Sequence, residues 1–201
     1  LQTFKSIISW IIPVVVGLLI ALVVKQFLFG FVKVDGTSMY PNLQNNERVM
    51  LLKPAKIKHN SVVVFNAYGI DHNNPEIQKN TKYVKRVIGM PGDTIEYRND
   101  GQLYINGKRM PQSYITRKQR TSGTLHLTPE LSEAKGVTLG TGKSFKVPQN
   151  EYFVLGDNRK DSNDSRYYGF VPKSKIDGVV KVFFWNSKAK VINSYRSSTV
   201  N

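Results

Sequence analysis

Apolar and polar positions divide the chain into two regimes. From Ile7 to Val24 run 18 residues without a charge, interrupted only by Ser9, Pro13 and Gly17. As a helix this run would be about 27 Å long, close to the hydrocarbon thickness of a bilayer. Pro13 lies near one end, where a membrane helix tolerates proline, and Trp10 stands where an indole can sit at headgroup level. The run is longer than the apolar stretch of a cleavable leader, and no small-x-small pair follows it. It also lacks the polar face of a soluble core helix. The pattern predicts one membrane span over residues 7–24 behind a short tail, 1–6. Lys5 before the span and Lys25 and Lys33 after it do not decide orientation, because long domains translocate largely regardless of charge.

Past Lys25 the pattern changes to short apolar runs broken by turn residues. Strands are predicted at 31–34, 48–52, 61–65, 83–88, 94–98, 103–105, 152–155 and 178–185. Asn99-Asp100-Gly101 and Asn106-Gly107 are hairpin signals, since glycine, asparagine and aspartate accept the positive φ of tight turns. The result is a mainly β fold class: an antiparallel sheet domain over 25–201 after one transmembrane helix. Two stretches read as excursions. Residues 66–80 are polar and turn-rich, and 111–146 is a small inserted cap with a short helix near Pro129 to Lys135. The tail after Lys188 reads as frayed.

Composition narrows the chemistry. There are 29 Lys and Arg against 14 Asp and Glu, a net charge of +15, which attracts anionic lipid, anionic polymer and nucleic acid alike. The absence of cysteine excludes disulfides, thiolate metal sites and a cysteine nucleophile. The three histidines, His59, His72 and His126, are far apart and in no metal-ligand spacing. Neither a Ser-His-Asp triad nor a zinc hydrolase has its parts, and no metal or other cofactor is expected. A serine nucleophile would need another base, and a neutral lysine can serve.

One serine is placed for such a role. In Gly36-Thr37-Ser38-Met39-Tyr40-Pro41 the glycine permits a positive φ and the proline stops a strand, so Ser38 sits on a tight turn. Alone, the hexapeptide reads as an ordinary polar turn before it reads as a site. Lys85 lies between Val84 and Val87-Ile88 in a strand-like run. An ordinary lysine is neutral only about 0.04% of the time at pH 7, and burial lowers its pKa by up to about 3–5 units. The competing reading puts Lys85 on the solvent face. Gly156 to Ser162 on its own is a polar turn of caps and exposed ion pairs, which contribute little.

Three segments taken together carry more. Gly-Thr-Ser-Met-Tyr-Pro-Asn-Leu (36–43), Tyr-Val-Lys-Arg-Val-Ile-Gly-Met-Pro-Gly-Asp (83–93) and Gly-Asp-Asn-Arg-Lys-Asp-Ser-Asn-Asp-Ser-Arg-Tyr-Tyr-Gly-Phe-Val (156–171) follow one apolar span. In content and order they resemble type I signal peptidases of Gram-positive type, membrane-anchored serine endopeptidases that remove signal peptides from exported preproteins. The resemblance implies Ser38 as nucleophile, Lys85 as general base and Ser162 as the hydroxyl that orients the lysine amine. It implies Asp164 and Arg166 as a bracing salt bridge, and the Ser38 N–H as one oxyanion donor. Some relatives have serine where this chain has Gly36, so the second donor would be a backbone amide near Gly36 or a water. Cleavage after small residues at −1 and −3 is implied, with Val34, Met39, Leu43 and Tyr83 near the first pocket and Val32 and Val84 near the second. The strand around Lys33 would pair with the substrate. The implied partners are signal peptides and a bilayer with anionic headgroups, with no nucleic acid. The β domain is placed on the extracytoplasmic side of the cell membrane.

Two other readings stay open. A non-catalytic, membrane-tethered basic module binding anionic wall polymer or lipid explains the span and the charge but not the Ser38, Lys85 and Ser162 set. A self-cleaving repressor-like protease uses a similar pair, but needs a DNA-binding domain where the span stands.

Overall fold

The computed structural model describes residues 2–127 and 134–193, with side chains from Ser9 onward. The uncharged run lies within helix α1 (Gln2–Leu28), which extends past the expected boundary through Lys25. Its stretch Ser9–Leu28 has a mean hydropathy of 2.5, is not buried against the rest of the chain, and is long and apolar enough to cross a membrane. α1 passes without a loop into the first strand, because Phe29 onward alternates in and out.

Among the described residues eleven strands follow in chain order: β1 (Phe29–Lys33), β2 (Arg48–Leu52), β3 (Val62–Asn66), β4 (Lys82–Gly89), β5 (Thr94–Tyr97), β6 (Leu103–Ile105), β7 (Lys108–Met110), β8 (Ser144–Lys146), β9 (Glu151–Leu155), β10 (Val171–Pro172) and β11 (Ile176–Lys181). They make two sheets, ordered β1-β2-β11-β3-β4-β9-β10 and β7-β6-β5-β8, and every pair is antiparallel. The mainly antiparallel β expectation therefore holds, with two sheets where the apolar pattern suggested one.

β3 explains the larger sheet. Val62, Val63, Val64 and Phe65 are all fully buried, so this central strand is covered on both faces. Val62 and Val64 pack with Val34, Met39, Leu43 and Val84, while Val63 and Phe65 pack with Val87, Val154 and Val179. The smaller sheet forms where the turn signals required it. Ile105 pairs with Lys108 across Asn106-Gly107, whose φ values of 52° and 77° suit a two-residue hairpin. Its inner residues Ile95 and Phe145 join Ile88, Phe153 and Leu155 in one cluster.

The cap expectation needs three corrections. Its last residues, 144–146, are β8 and pair with β5. Tyr114, Ile115, Val137 and Leu139 are buried in the same cluster as the small sheet, so the segment supplies core and not only cover. Its described helices are α2 (Arg117–Arg120) and α3 (Ser122–Leu125). Most of the helix expected near Pro129 to Lys135 falls outside the described residues. Two further short helices are α4 (Ser165–Tyr168) and α5 (Ala189–Asn193). α5 corrects the frayed-tail expectation for its own residues, because Ile192 is buried and the Val191 carbonyl accepts from Arg86 at 3.1 Å, while the rest of that tail, 194–201, lies outside the described residues. The strand expected through Trp185 ends at Lys181, and Phe183, Phe184 and Trp185 stand exposed beyond it.

Candidate active site

β4 carries two adjacent cations, and the two-residue period of a strand sends them to opposite faces. Lys85 lies opposite Val63 and shares its face with Tyr83 and Val87. Arg86 points the other way and meets Asp157 in a buried bidentate pair, Nε to Oδ1 at 2.8 Å and Nη2 to Oδ2 at 2.7 Å. Asn42 donates to the same Asp157 carboxylate at 2.8 Å, which ties the turn after Ser38 to the segment after β9.

The Ser38 turn is closed by Tyr40 N–H to Thr37 C=O at 3.0 Å and Leu43 N–H to Met39 C=O at 3.0 Å, and the Tyr40–Pro41 peptide is cis. Asn158 clamps it from across the site: its N–H donates to Ser38 C=O at 2.9 Å and its Nδ2 to Thr37 C=O at 3.2 Å. The Thr37 hydroxyl donates to Asp161. Held in this way, Ser38 Oγ stands 2.8 Å from Lys85 Nζ. Lys85 is only 4% exposed, and burial pulls its pKa down from the ordinary lysine value to about 8. Opposing that pull are the Asp164, Asp71 and Asp161 charges, while Arg166 adds to it.

Ser162 is buried beside this pair and donates its single hydroxyl proton to Asp164 Oδ2 at 2.8 Å. Its hydroxyl therefore has lone pairs, and no proton, left for another partner. Asp164 is fully buried, and also accepts from Gly156 N–H at 3.0 Å and from Arg166 Nε and Nη2 at 2.8 and 2.9 Å. Burial works to raise its pKa, but the Arg166 charge and hydrogen bonds, with the Gly156 N–H and the Lys85 charge, together hold the carboxyl below its ordinary value. Arg166 spends its remaining donors on Gly123 C=O at 2.9 Å and Arg159 C=O at 2.8 Å. The Asp164–Arg166 pair is thus a buried brace, not the exposed ion pair of the plainer reading.

Gly36 departs from expectation. Its φ of +88° uses the freedom of glycine, but its N–H already donates to Asn45 Oδ1 at 3.0 Å. That amide is not the free second donor. Among the described residues the Ser38 N–H has no acceptor within the chain and stays available for an oxyanion.

Of the residues expected near substrate pockets, Val34, Met39, Leu43 and Val84 lie within one buried cluster with Val32 packed against it, while Tyr83 packs on the other face of the sheet. Met39 and Leu43 are 1% and 0% exposed and could form only the floor of a pocket. Val32 lines an open groove of about 550 Å³ with Phe31, Lys33, Arg48 and Phe183. β1, beside that groove, is the edge strand of the large sheet, so one side of its backbone is unpaired.

Reading the sequence set Gly156, Asp157, Asn158 and Arg86 inside motifs without giving them a role, and passed over Asp71 altogether. A Cβ on Gly156 would lie 2.2 Å from Ser162 Oγ and 2.5 Å from Ser38 C=O, so only glycine lets those two segments meet. One signal for Arg86 was present: adjacent cations in a strand buried on both faces require two separate sets of partners, and the 156–166 segment holds the acids.

A mainly β chain behind an apolar helix, with a serine hydroxyl against a buried lysine amine, has the make-up of a serine peptidase. The family model for signal peptidase, peptidase S26, matches residues 7–185. Signal peptidase I S of Bacillus subtilis (strain 168) is 38% identical over 189 residues, 90% of each chain. Signal peptidase IB of Staphylococcus aureus (strain COL) is 36% identical over 185 residues, 90% of this chain and 91% of that one. A crystal structure of a signal peptidase I from Enterococcus faecalis V583 is 34% identical, covering 62% of this chain and 97% of its own, with a TM-score of 0.43, too low to bear on the fold. The chain belongs to the signal peptidase family, peptidase S26, and is a serine endopeptidase.

Proposed function

We propose that this endopeptidase is anchored in the cell membrane by α1, with its β domain on the extracytoplasmic side, and removes signal peptides from exported preproteins. Ser38 attacks the scissile carbonyl while neutral Lys85 takes its proton. The resulting ammonium then protonates the leaving amine, and the regenerated amine activates the water that cleaves the acyl-enzyme. The Ser38 N–H faces the developing oxyanion. Ser162, its proton committed to Asp164, accepts from the lysine amine and fixes its rotamer. The substrate pairs in extended form with the free edge of β1 and places small residues at −1 and −3 in the apolar surface around Val32, Val34 and Val84. The observation that carries this reading is the 2.8 Å approach of a buried lysine amine to Ser38 Oγ.

The direct test incubates the purified full chain with a precursor bearing an Ala-x-Ala site. Cleavage after the second alanine is expected, with Ser38→Ala folded and slower by orders of magnitude. Equal behaviour of the two proteins would instead favour the basic binding module. With a Lys85 pKa of about 8, roughly one amine in ten is neutral at pH 7 and about nine in ten at pH 9. The rate constant kcat/KM should climb roughly tenfold between those values. A profile that falls over that range while the protein stays folded contradicts a lysine base.

A further inference from the structure

The excursion 66–80 brings an acid into the wall behind the lysine. Asp71 is 3% exposed, and its Oδ2 accepts from the Tyr83 hydroxyl at 2.9 Å and from Asn163 Nδ2 at 2.5 Å. One of these donors lies against the dyad's lysine, and the other belongs to the segment that carries Ser162 and Asp164. The Tyr83 ring centroid lies 5.1 Å from Lys85 Nζ, and Asn163 stands between Ser162 and Asp164 in the chain. Asn74, from the same excursion, donates to the Tyr83 hydroxyl at 3.3 Å, and Tyr168 packs its ring 6.3 Å from that of Tyr83.

Two features mark this cluster as more than a turn. Among the described residues Asp71 forms no salt bridge, although a buried carboxylate is costly without a counter-charge. Also among the described residues, Asp71 Oδ1, Asn163 Oδ1 and Tyr168 Oη are buried with no hydrogen-bond partner in the protein. Asp71 Oδ1 and Asn163 Oδ1 can only accept while the Tyr168 hydroxyl can also donate, so the cluster's one formal charge is the Asp71 carboxylate, whose negative charge is felt on the far side of the Tyr83 ring. Lys85 is the titratable cation on that side.

We propose that Asp71 is a positioning residue for the Ser38–Lys85 pair: held by Tyr83 and Asn163, its carboxylate steadies the ammonium formed at Lys85 during turnover and pins the Tyr83 ring against the amine. The proposal rests on Lys85 as the base. Burial lowers the Lys85 pKa most; Asp164 raises it, Arg166 lowers it, and Asp71 and Asp161 raise it. Asp71 is the one charge in this set outside the 161–166 segment. Tyr83 itself remains a proton donor throughout. Burial raises its pKa, the Asn74 bond opposes, and Asp71 adds to the rise, to about 12.

The test uses the full chain in detergent with a precursor peptide and follows two quantities against pH, kcat/KM and the ¹³Cε signal of Lys85, identified by its loss in Lys85→Met. In Asp71→Asn both midpoints should fall by about half a unit or more, because a negative charge near the ammonium is gone. The plateau rate should also drop, since a less basic amine is a weaker proton acceptor. Asp71→Glu, which keeps the charge, should restore the midpoint. Asp71→Ser, which leaves an acceptor for Tyr83 without amide protons facing Asn163, should shift it as Asp71→Asn does and serves if that variant does not fold. A Lys85 midpoint unmoved in the folded neutral variants overturns the proposal, and altered thermal stability with unmoved midpoints would show Asp71 to be structural only. If the wild-type rate does not follow the Lys85 titration, the dyad reading fails instead, and the carbon signal still decides whether Asp71 acts on the amine.

Discussion

At the scale of single residues, the site is held in a state the fold disfavours. Keeping Lys85 dry lowers its pKa by about 2.5 units from 10.5, equivalent to about 3 kcal/mol against the charged form. The sign follows from linkage: the folded pKa lies below the unfolded one, so the cost is full below pH 8 and fades as pH rises through the unfolded value. Lys85→Met should therefore abolish cleavage yet raise stability at pH 7 by up to about 3 kcal/mol, with the gain vanishing near pH 10.5. Urea denaturation at pH 7 and pH 10 measures it, and an equal gain at both values would deny that the buried amine is under electrostatic strain. Gly156 carries the complementary risk. Its missing Cβ is the space in which Ser162 Oγ and the Ser38 carbonyl meet, so Gly156→Ala should lower kcat by roughly a hundredfold or more, since a misplacement of about 1 Å costs that much. Normal turnover in that variant would mean the two segments can part without loss.

At the scale of elements, what could be read from the sequence depended on whether its cause was local. The hairpins at Asp100-Gly101 and Asn106-Gly107 were legible because a turn residue dictates its own φ. The Ser38 turn and the strand holding Lys85 were legible for similar reasons. The split into two sheets was not, because β8 reaches β5 across the whole 111–143 segment, a pairing no short window contains. Asp71 was hidden in the same way: among polar turn residues nothing local distinguishes it, and only the fold carries it to Tyr83. β4 shows the middle case, where alternation requires Lys85 and Arg86 to part but leaves their partners open. Here Arg86→Leu should destabilise the chain by about 3–5 kcal/mol, because it strands Asp157 at zero exposure. A chemical-denaturation midpoint close to wild type would show that Asp157 finds another partner or takes up a proton.

At the scale of the whole molecule, the apolar surface is gathered where the helix joins the sheet. α1 runs directly into β1, β1 pairs with β2, and β2 pairs with β11, whose end carries Phe183, Phe184 and Trp185 at 45%, 85% and 68% exposure. Phe31, 63% exposed, lines one groove with Phe183, Lys33 and Arg48, so aromatics and cations share a rim near the end of α1. A soluble surface has no reason to expose three consecutive large aromatics, whereas a bilayer accepts the rings at its interface and anionic headgroups meet the cations. That placement would put the free edge of β1 next to the membrane surface, where a signal peptide leaving the bilayer would reach it in extended form. The chain has two tryptophans, Trp10 and Trp185, so Trp10→Phe leaves Trp185 as a single reporter. In vesicles containing anionic lipid its emission should be quenched by lipids brominated on their acyl chains and shielded from acrylamide. Phe183→Ser with Phe184→Ser should reverse both effects. Emission that responds to acrylamide and ignores the brominated lipid would place the rim in water and detach the edge of β1 from the membrane.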